Sequence, residues 1–256
     1  MKEFTRAQII AAFAVMVAMQ RDLNAMVSER WEANGYRWHR AIWIEIGEWM
    51  DQVGWKWWKR QDVDARQAQL EVVDIFHFLL SWAIENYREG NLLEILLRDG
   101  MFPANGKTLF DEDIDYKLDE PARPPSRKTN RQMLFAMTER LVHEITTTGD
   151  AEADWAQSDD LPVLPIVEWI ALQITFEQLY TWYVAKNVLN SYRQNNGYKQ
   201  GTYKKVNGGV EDNKFVETAM QAILEEPDFD IARLPAELLR RLDNWYKGHN
   251  EQPNAA

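Results

Sequence analysis

One predicted helix in this sequence carries polar side chains where an apolar environment is expected. Residues 70–84 are apolar on nearly every side, which is typical of a helix buried in a core. The polar members of this run are Glu71, Asp74, His77 and Ser81, and their spacing places them on one helix face. Because buried carboxylates are costly without a neutralising charge, this helix needs a counter-ion or a partner of opposite charge.

A second acidic pair, Glu45 and Glu48, lies upstream on another predicted helix with the same three-residue spacing. Two helices that each present two carboxylates inward form a hard oxygen-ligand site, which favours Mg²⁺. A solvated acidic face is the ordinary alternative for Glu45 and Glu48 taken alone. The apolar neighbours of Glu71 and Asp74 disfavour that alternative for the second pair.

The histidine in the same run allows a different interpretation. Asp74-x-x-His77 is related to the Glu-x-x-His unit of di-iron helix bundles. Such bundles need a second copy of the unit, and His143 is preceded three residues earlier by Arg140 instead of a carboxylate. His77 is therefore interpreted as a buried partner of a ligand or as a core histidine. A di-iron carboxylate protein or a non-catalytic helical bundle is kept as an alternative of a different class.

Helical periodicity dominates the chain and no segment shows clear two-residue alternation, so we predict an all-α fold. The length suits one large domain or two small ones, and we expect a single catalytic domain over residues 1–256. An insert at about 99–160 contains proline-rich and acidic loop sequence. The predicted helices cover residues 5–28, 38–58, 64–88, 128–148, 162–195, 212–226 and 235–247.

Charge and composition exclude several classes of protein. A net charge of −11 argues against broad nucleic-acid binding. The absence of cysteine excludes disulfides and thiolate metal sites, and fits a cytoplasmic protein. The apolar run 9–19 is too short to span a membrane, and its pattern continues through Leu23 and Met26. We interpret it as a core helix and expect no membrane partner.

Basic residues cluster near the end of a long apolar helix. Lys186, Asn190 and Arg193 are spaced four and three residues apart, so they share a helix face. Residues 195–205, rich in glycine, lysine and tyrosine, follow and could close over a polyanion such as a triphosphate bound through Mg²⁺. Compensation of the helix dipole is the simpler alternative. The glycine motifs of P-loop and Rossmann proteins are absent from the sequence.

Two further patterns are weaker when taken alone. Gln20 and Asn24 lie four residues apart on the first helix, and amide side chains can both donate to and accept from a pyrimidine edge. The run Trp55–Lys59 places Lys56 and Lys59 among tryptophans. Aromatic packing with the lysines extending to water is the alternative for this run.

Taken together, these motifs resemble the all-α NTP pyrophosphohydrolases, which include MazG-like proteins and the dimeric dUTPases. The dimeric dUTPase motifs are matched in order outside residues 95–165. Gly47, between the first two glutamates, and the insert at about 99–160 depart from the family pattern. The matching segments are Gln20-x-x-Leu23-Asn24, Asn34-Gly35-x-x-Trp38, Glu45-x-x-Glu48, Trp55–Lys59, Glu71-Val-Val-Asp-Ile-Phe-His-Phe78, Asn187-Val-Leu-Asn-x-Tyr-Arg-Gln194, Gly197-Tyr-Lys-x-Gly201-x-Tyr203 and Glu211-Asp-Asn213.

The resemblance implies a role for each matched residue. Glu45, Glu48, Glu71 and Asp74 would hold Mg²⁺, and Glu48, or else Glu45, would orient or deprotonate the attacking water. Lys186, Arg193, Lys199 and Lys205 would neutralise phosphates, with Tyr198 and Tyr203 as hydroxyl donors. Asn190 would contact the sugar, and Gln20, Asn24 and Trp38 would shape the base pocket. Lys56, Lys59 and Asn213 complete the expected substrate-binding set.

The expected activity is Mg²⁺-dependent hydrolysis of dUTP to dUMP and pyrophosphate, with dUDP as a candidate second substrate. A relative that also accepts dCTP is an alternative within the same superfamily. We expect a homodimer, because the family is dimeric and because twelve tryptophans supply much apolar surface. The sequence leaves open which phosphorus is attacked.

Overall fold

The computed structural model describes residues 4–103, 108, 130–147, 161–227 and 229–250. These residues form α-helices and one short β-hairpin, which confirms the all-α prediction. The helices are α1 (Arg6–Val27), α2 (Trp38–Gln52), α3 (Ala65–Glu85), α4 (Glu89–Leu96), α5 (Asn130–Thr147), α6 (Val163–Ala171), α7 (Phe176–Asn195), α8 (Asp212–Leu224) and α9 (Leu234–Asn250). The strands are β1 (Val206–Asn207) and β2 (Val210–Glu211), and 3-10 turns cover Trp31–Ala33 and Ile231–Arg233.

The chain divides into two compact units. The first unit contains Met1–Ile10 and Tyr36–Leu179, and the second contains Ala11–Gly35 and Tyr180–Ala256. The expectation of one catalytic domain stays a prediction. Most of the predicted insert at about 99–160 lies outside the described residues.

In the first unit, α2 packs along α3, and tryptophan side chains join α2 to α5 and α6. Trp49 on α2 is fully buried, and its ring meets Trp169 on α6 edge to face at 5.1 Å. The indole N–H of Trp169 donates to the hydroxyl of Thr138 on α5 at 2.8 Å. Large aromatic side chains therefore hold these helices together.

Helix α3 is buried on nearly every side, as the sequence predicts. It begins after Asp64, whose carboxylate accepts a hydrogen bond from the backbone N–H of Gln67 at 2.9 Å. The polar residues Glu71, His77 and Ser81 are buried within it, and Asp74 is half-buried. The burial that makes this acidic face unusual is thus present in the structure.

Helix α2 ends at Gln52, so the prediction that it continues to residue 58 is wrong. Gly54 adopts a left-handed backbone conformation with φ of +63°, and a Cβ there would lie 3.2 Å from the carbonyl oxygen of Gln61. The chain then returns, and the N–H of Asp64 donates to the carbonyl of Gln52 at 2.9 Å. Trp55–Lys59 therefore lies in a turn beyond the helix.

The helices differ from the prediction at two other places. The predicted helix 162–195 is broken into α6 and α7 at Thr175, whose hydroxyl accepts from the N–H of Gln178, while its own N–H donates to the Gln178 side chain. This reciprocal pair is a capping box, and its Thr-x-x-Gln signature is visible in the sequence. Helix α4 was not predicted. The predicted helix 128–148 is confirmed as α5.

In the second unit, α8 packs against α9, with Phe215 and Trp245 stacked at 4.5 Å. The hairpin that precedes α8 was not predicted. Its strands are joined by Gly208 and Gly209, which both have positive φ, as a two-residue hairpin turn requires. The hairpin delivers the chain directly to Asp212, the first residue of α8.

Helix α1 is long and apolar enough to cross a membrane by length and composition, with mean hydropathy of 1.3 in its most apolar window. Core helices and signal sequences near an N-terminus meet the same criterion. Its buried residues recur at intervals of three and four and include Met16, Gln20 and Asn24. That stripe is typical of a helix with one packed face. The interpretation of α1 as a core helix stays a prediction.

Candidate functional site

Three carboxylates meet where α2 packs on α3. Glu45 on α2 and Glu71 and Asp74 on α3 each place a carboxylate oxygen within 4.8 Å of the others. The three-residue spacing on α3 puts both of its acids on the side that faces α2. Glu71 is buried with 5% of its surface exposed, and the other two acids are half-buried.

This cluster can hold a divalent cation. Like charges this close, in a partly dehydrated place, repel one another unless a cation offsets them. Carboxylate oxygens are the ligands that Mg²⁺ and Ca²⁺ prefer. The amide Nε2 of Gln67 donates to one oxygen of Glu71 at 2.6 Å, which fixes the orientation of that carboxylate. Sequence analysis did not single out Gln67, although it lies one helical turn before Glu71.

Glu48, the fourth predicted ligand, lies one turn after Glu45 on α2 and is exposed. It is outside the group of three, so the structure brings together three of the four predicted acids. The group also contains no histidine. His77 is buried, and its Nδ1 lies 3.0 Å from the carbonyl oxygen of Val73, which can only accept. The absence of His77 from this group of carboxylates disfavours the di-iron alternative.

Three other predicted site residues belong to the first unit. Trp38 is buried, its indole N–H donates to Glu85, and its ring lies 6.3 Å from that of Phe78. Lys56 forms an ion pair with Asp51 at 2.7 Å, and its hydrogen bond and charge hold the pKa of Asp51 below its usual range. Lys59 is exposed in the turn after α2.

In the second unit, the predicted amides form part of a buried hydrogen-bonded chain. Gln20 Nε2 donates to Asn24 Oδ1 at 2.9 Å. The hydroxyl of Tyr183 lies 2.7 Å from Gln20 Oε1 and 3.0 Å from the carbonyl oxygen of Met16, and it can donate to either. Burial raises the pKa of Tyr183 well above its usual value, so this hydroxyl stays protonated. Tyr183 was missed because it lies far along the sequence on α7, in a run of apolar residues.

The basic segment, residues 186–205, also belongs to the second unit. Lys186 and Asn190 are half-buried on α7, and the ammonium group of Lys199 donates to the carbonyl of Val27 at 3.2 Å. The ammonium group of Lys205 lies 5.5 Å from the ring centre of Tyr198, which is a cation–π contact. These contacts order a segment that the sequence marks only by its glycines and charges.

Asp212 organises the same region, and sequence analysis did not select it. Its fully buried carboxylate accepts from Nε and Nη2 of Arg193 at 2.9 and 2.7 Å and from the hydroxyl of Tyr203 at 2.9 Å. Arg193 also donates to Asn213 Oδ1 at 3.2 Å. The motif Glu211-Asp-Asn213 was a signal for this position, but the spacing alone gave no reason to choose its central residue.

Asp212 raises the pKa of Arg193 and contributes to the raised pKa of Tyr203. Burial alone would lower the pKa of Arg193, but the hydrogen bonds and charge of Asp212 outweigh it, so the pKa is raised. Burial, the negative charge of Asp212 and the hydrogen bond to it raise the pKa of Tyr203. Since a phenol has one hydrogen, Tyr203 cannot donate to Asp212 and to a phosphate at the same time.

The chain is similar to a known protein family. A protein-family model described as dUTPase matches residues 12–198, which is more than half of the chain. The matched range includes all three clustered carboxylates, the amide pair and Arg193. A search of curated proteins found no match.

We predict that Glu71→Gln removes the stabilisation of the protein by Mg²⁺. At about a 100-fold excess over its Kd, a bound ion stabilises the folded wild type by about 2.7 kcal/mol. The variant should lose most of this gain, while its metal-free form becomes more stable because one repelling charge is gone. Thermal unfolding with and without Mg²⁺ measures both effects.

The matched control is Glu94→Gln, an exposed glutamate on α4 outside the cluster. This variant should keep the full Mg²⁺ effect. An unchanged Mg²⁺ effect in Glu71→Gln would contradict a metal site at the cluster.

Proposed function

The chain belongs to the dUTPase family, and on this premise we propose that its reaction depends on Mg²⁺. The protein is a dUTP diphosphatase, an enzyme that hydrolyses dUTP to dUMP and pyrophosphate. The observation that supports Mg²⁺ is the cluster of Glu45, Glu71 and Asp74, whose oxygens lie within 4.8 Å of one another.

The acidic residues would have two roles, which are to bind the metal ion and to activate the attacking water. Glu45, Glu71 and Asp74, together with Glu48, would hold Mg²⁺. When bound, Mg²⁺ would offset the negative charge of the phosphate oxygens. Glu48 is exposed and lies one turn from Glu45, so its carboxylate would orient the attacking water and accept its proton. Glu45 is the second candidate for that role.

The remaining contacts to substrate follow from the chemistry of each group. Cationic side chains would neutralise the phosphates, and the amide pair would face the pyrimidine. The hydrogen bond between Tyr183 and Gln20 supports the second assignment, because it restricts the rotation of the Gln20 amide. The residues assigned to phosphates are Lys186, Arg193, Lys199, Lys205 and Tyr198; to the sugar, Asn190; to the base, Gln20, Asn24 and Trp38; and to other substrate contacts, Lys56, Lys59 and Asn213. Tyr203 is left out of the phosphate contacts, because its hydroxyl hydrogen goes to Asp212.

We also propose a cytoplasmic location, which the absence of cysteine supports, and action on a free nucleotide, with no nucleic-acid partner. The net charge of −11 supports the second point, because a polyanionic partner would be repelled. A role for dUDP as a second substrate is compatible with the same residues.

Purified protein should hydrolyse dUTP in the presence of Mg²⁺ and lose this activity in EDTA. Activity should be much lower toward UTP, whose 2′-hydroxyl must be refused, and toward dTTP and dCTP. Release of pyrophosphate and nucleoside monophosphate, followed by chromatography, measures the four rates. Comparable rates for dCTP and dUTP would replace the specific dUTP assignment with the broader pyrophosphohydrolase.

We predict that Glu48→Gln lowers kcat by about 100-fold or more, because loss of a general base or metal ligand has that order of effect. The variant should unfold at a temperature close to that of the wild type, since Glu48 is exposed. Glu94→Gln serves as the control and should retain full activity. A Glu48→Gln enzyme that keeps more than about a tenth of the wild-type rate would refute this role.

The protein should be a homodimer. Large apolar side chains are exposed on α1 and α2, among them Ile10, Val27, Trp43 and Ile44. Covering such residues with a second copy of the chain is the commonest solution in soluble oligomers. Sedimentation at micromolar concentration should give twice the chain mass of 30.1 kDa. A stable species at the single-chain mass would reject the dimer.

A further inference from the structure

The carboxylate of Asp212 joins three parts of the second unit that are separate in sequence. It binds Arg193 at the end of α7 and Tyr203 in the glycine-rich segment through the bonds given above. Its own backbone N–H donates to the carbonyl of Lys205 at 2.8 Å. One residue at the start of α8 therefore sets the positions of two cationic residues and one tyrosine.

The carboxylate itself is held rigidly. It accepts from the backbone N–H of Asn213 at 2.8 Å, inside the first turn of α8, where a negative charge is also stabilised by the helix dipole. None of its surface is exposed, and the side chain of Arg193 is only 12% exposed. A paired, hydrogen-bonded charge buried to this degree has little freedom to move.

The way Arg193 is held determines which of its edges is presented. Asp212 takes Nε and one hydrogen of Nη2, and Asn213 accepts from Nη2 as well. The two N–H groups on Nη1 take no part in these bonds, and the guanidinium carbon lies 5.9 Å from the ring centre of Tyr198. A planar guanidinium fixed along one edge offers its other edge in a defined direction, which suits a phosphate oxygen.

We infer that Asp212 is a positioning residue for the triphosphate: it orients Arg193 and anchors Lys205 so that both can bind the β- and γ-phosphates of the substrate. This inference rests on the proposed binding of phosphates by the basic segment. Asp212 makes no contact with substrate in this assignment. Tyr203 then acts by holding Asp212 and not as a donor to phosphate.

Asp212 could instead compete with the substrate for Arg193. The two accounts predict opposite changes in the affinity for the triphosphate when the charge of Asp212 is removed. Removing a negative charge near a polyanion site strengthens polyanion binding if charge alone matters. If orientation matters, the same removal weakens binding, because the side chains of Arg193 and Tyr203 lose their fixed geometry. The direction of the change therefore decides between them.

The test compares wild-type protein with Asp212→Asn, which has nearly the same shape but no charge. Calorimetry in Mg²⁺ gives the affinities of a non-hydrolysable dUTP analogue and of dUMP, which lacks the β- and γ-phosphates. We expect the analogue to bind about tenfold more weakly to the variant, since charged hydrogen bonds are lost, and dUMP to bind within about twofold of the wild type. KM for dUTP should rise more than kcat falls.

Asp243→Asn is the matched control. Asp243 lies in the same unit, also accepts from a tyrosine hydroxyl, that of Tyr192 at 3.0 Å, and pairs with Lys247 at 2.8 Å. This variant removes the same charge and the same kind of bond, and it should leave both affinities unchanged. Because Asp243 is more exposed than Asp212, thermal unfolding of both variants is measured as well, so that a loss of stability is separated from a loss of binding.

Several outcomes would overturn the inference. Tighter or unchanged binding of the analogue by Asp212→Asn would show that Asp212 competes for Arg193 or is irrelevant. Equal weakening of the analogue and dUMP would show a general structural role. If Asp212→Asn does not fold, Arg193→Lys keeps the charge but breaks the two-pronged contact, and unchanged analogue affinity there overturns the inference. Failure of the wild type to hydrolyse dUTP would instead reject the proposed function.

Discussion

The cost of burying carboxylates shapes both units of this protein. A charged group that leaves water must regain the lost hydration energy from hydrogen bonds or from an opposite charge. In the second unit, Asp212 is neutralised from within the chain by Arg193 and satisfied by Tyr203 and a helix N–H. In the first unit, Glu71 lies beside two further acids of the same sign, so its surroundings concentrate negative charge. One arrangement is a structural ion pair, and the other has the composition of a cation site.

The features that the sequence predicted correctly are those that depend on local spacing. The burial of α3 and the shared face of Glu71 and Asp74 follow from helical periodicity within a single run of residues. The approach of Glu45 follows from one packing contact between neighbouring helices. Each of these inferences needs only the geometry of a helix and the fact that apolar faces pack together.

The features that were missed depend on turn chemistry or on long-range contacts. The predicted helix over residues 38–58 includes the Trp55–Lys59 run. In the structure, the left-handed conformation of Gly54 ends α2 before that run. The capping pair Thr175 and Gln178 breaks a long apolar run in the same way. Asp212 could not be selected by spacing, because nineteen residues separate it from Arg193 and the hairpin determines whether they meet. Local sequence patterns do not show whether two residues so far apart in sequence come into contact.

In the buried chain of Gln20, Asn24 and Tyr183, packing influences which amide atoms donate hydrogen bonds and which accept them. An amide side chain can present either its oxygen or its nitrogen, and free rotation would blur any distinction between donor and acceptor. The protonated hydroxyl of Tyr183 can donate to Gln20 Oε1 or to the carbonyl oxygen of Met16. When it donates to Gln20, the Nε2 of that amide is left to donate to Asn24 Oδ1. Burial keeps the tyrosine protonated, so the direction of this chain does not change within the ordinary pH range. The discrimination of donors from acceptors at these two amides therefore depends on a tyrosine more than 160 residues away in sequence.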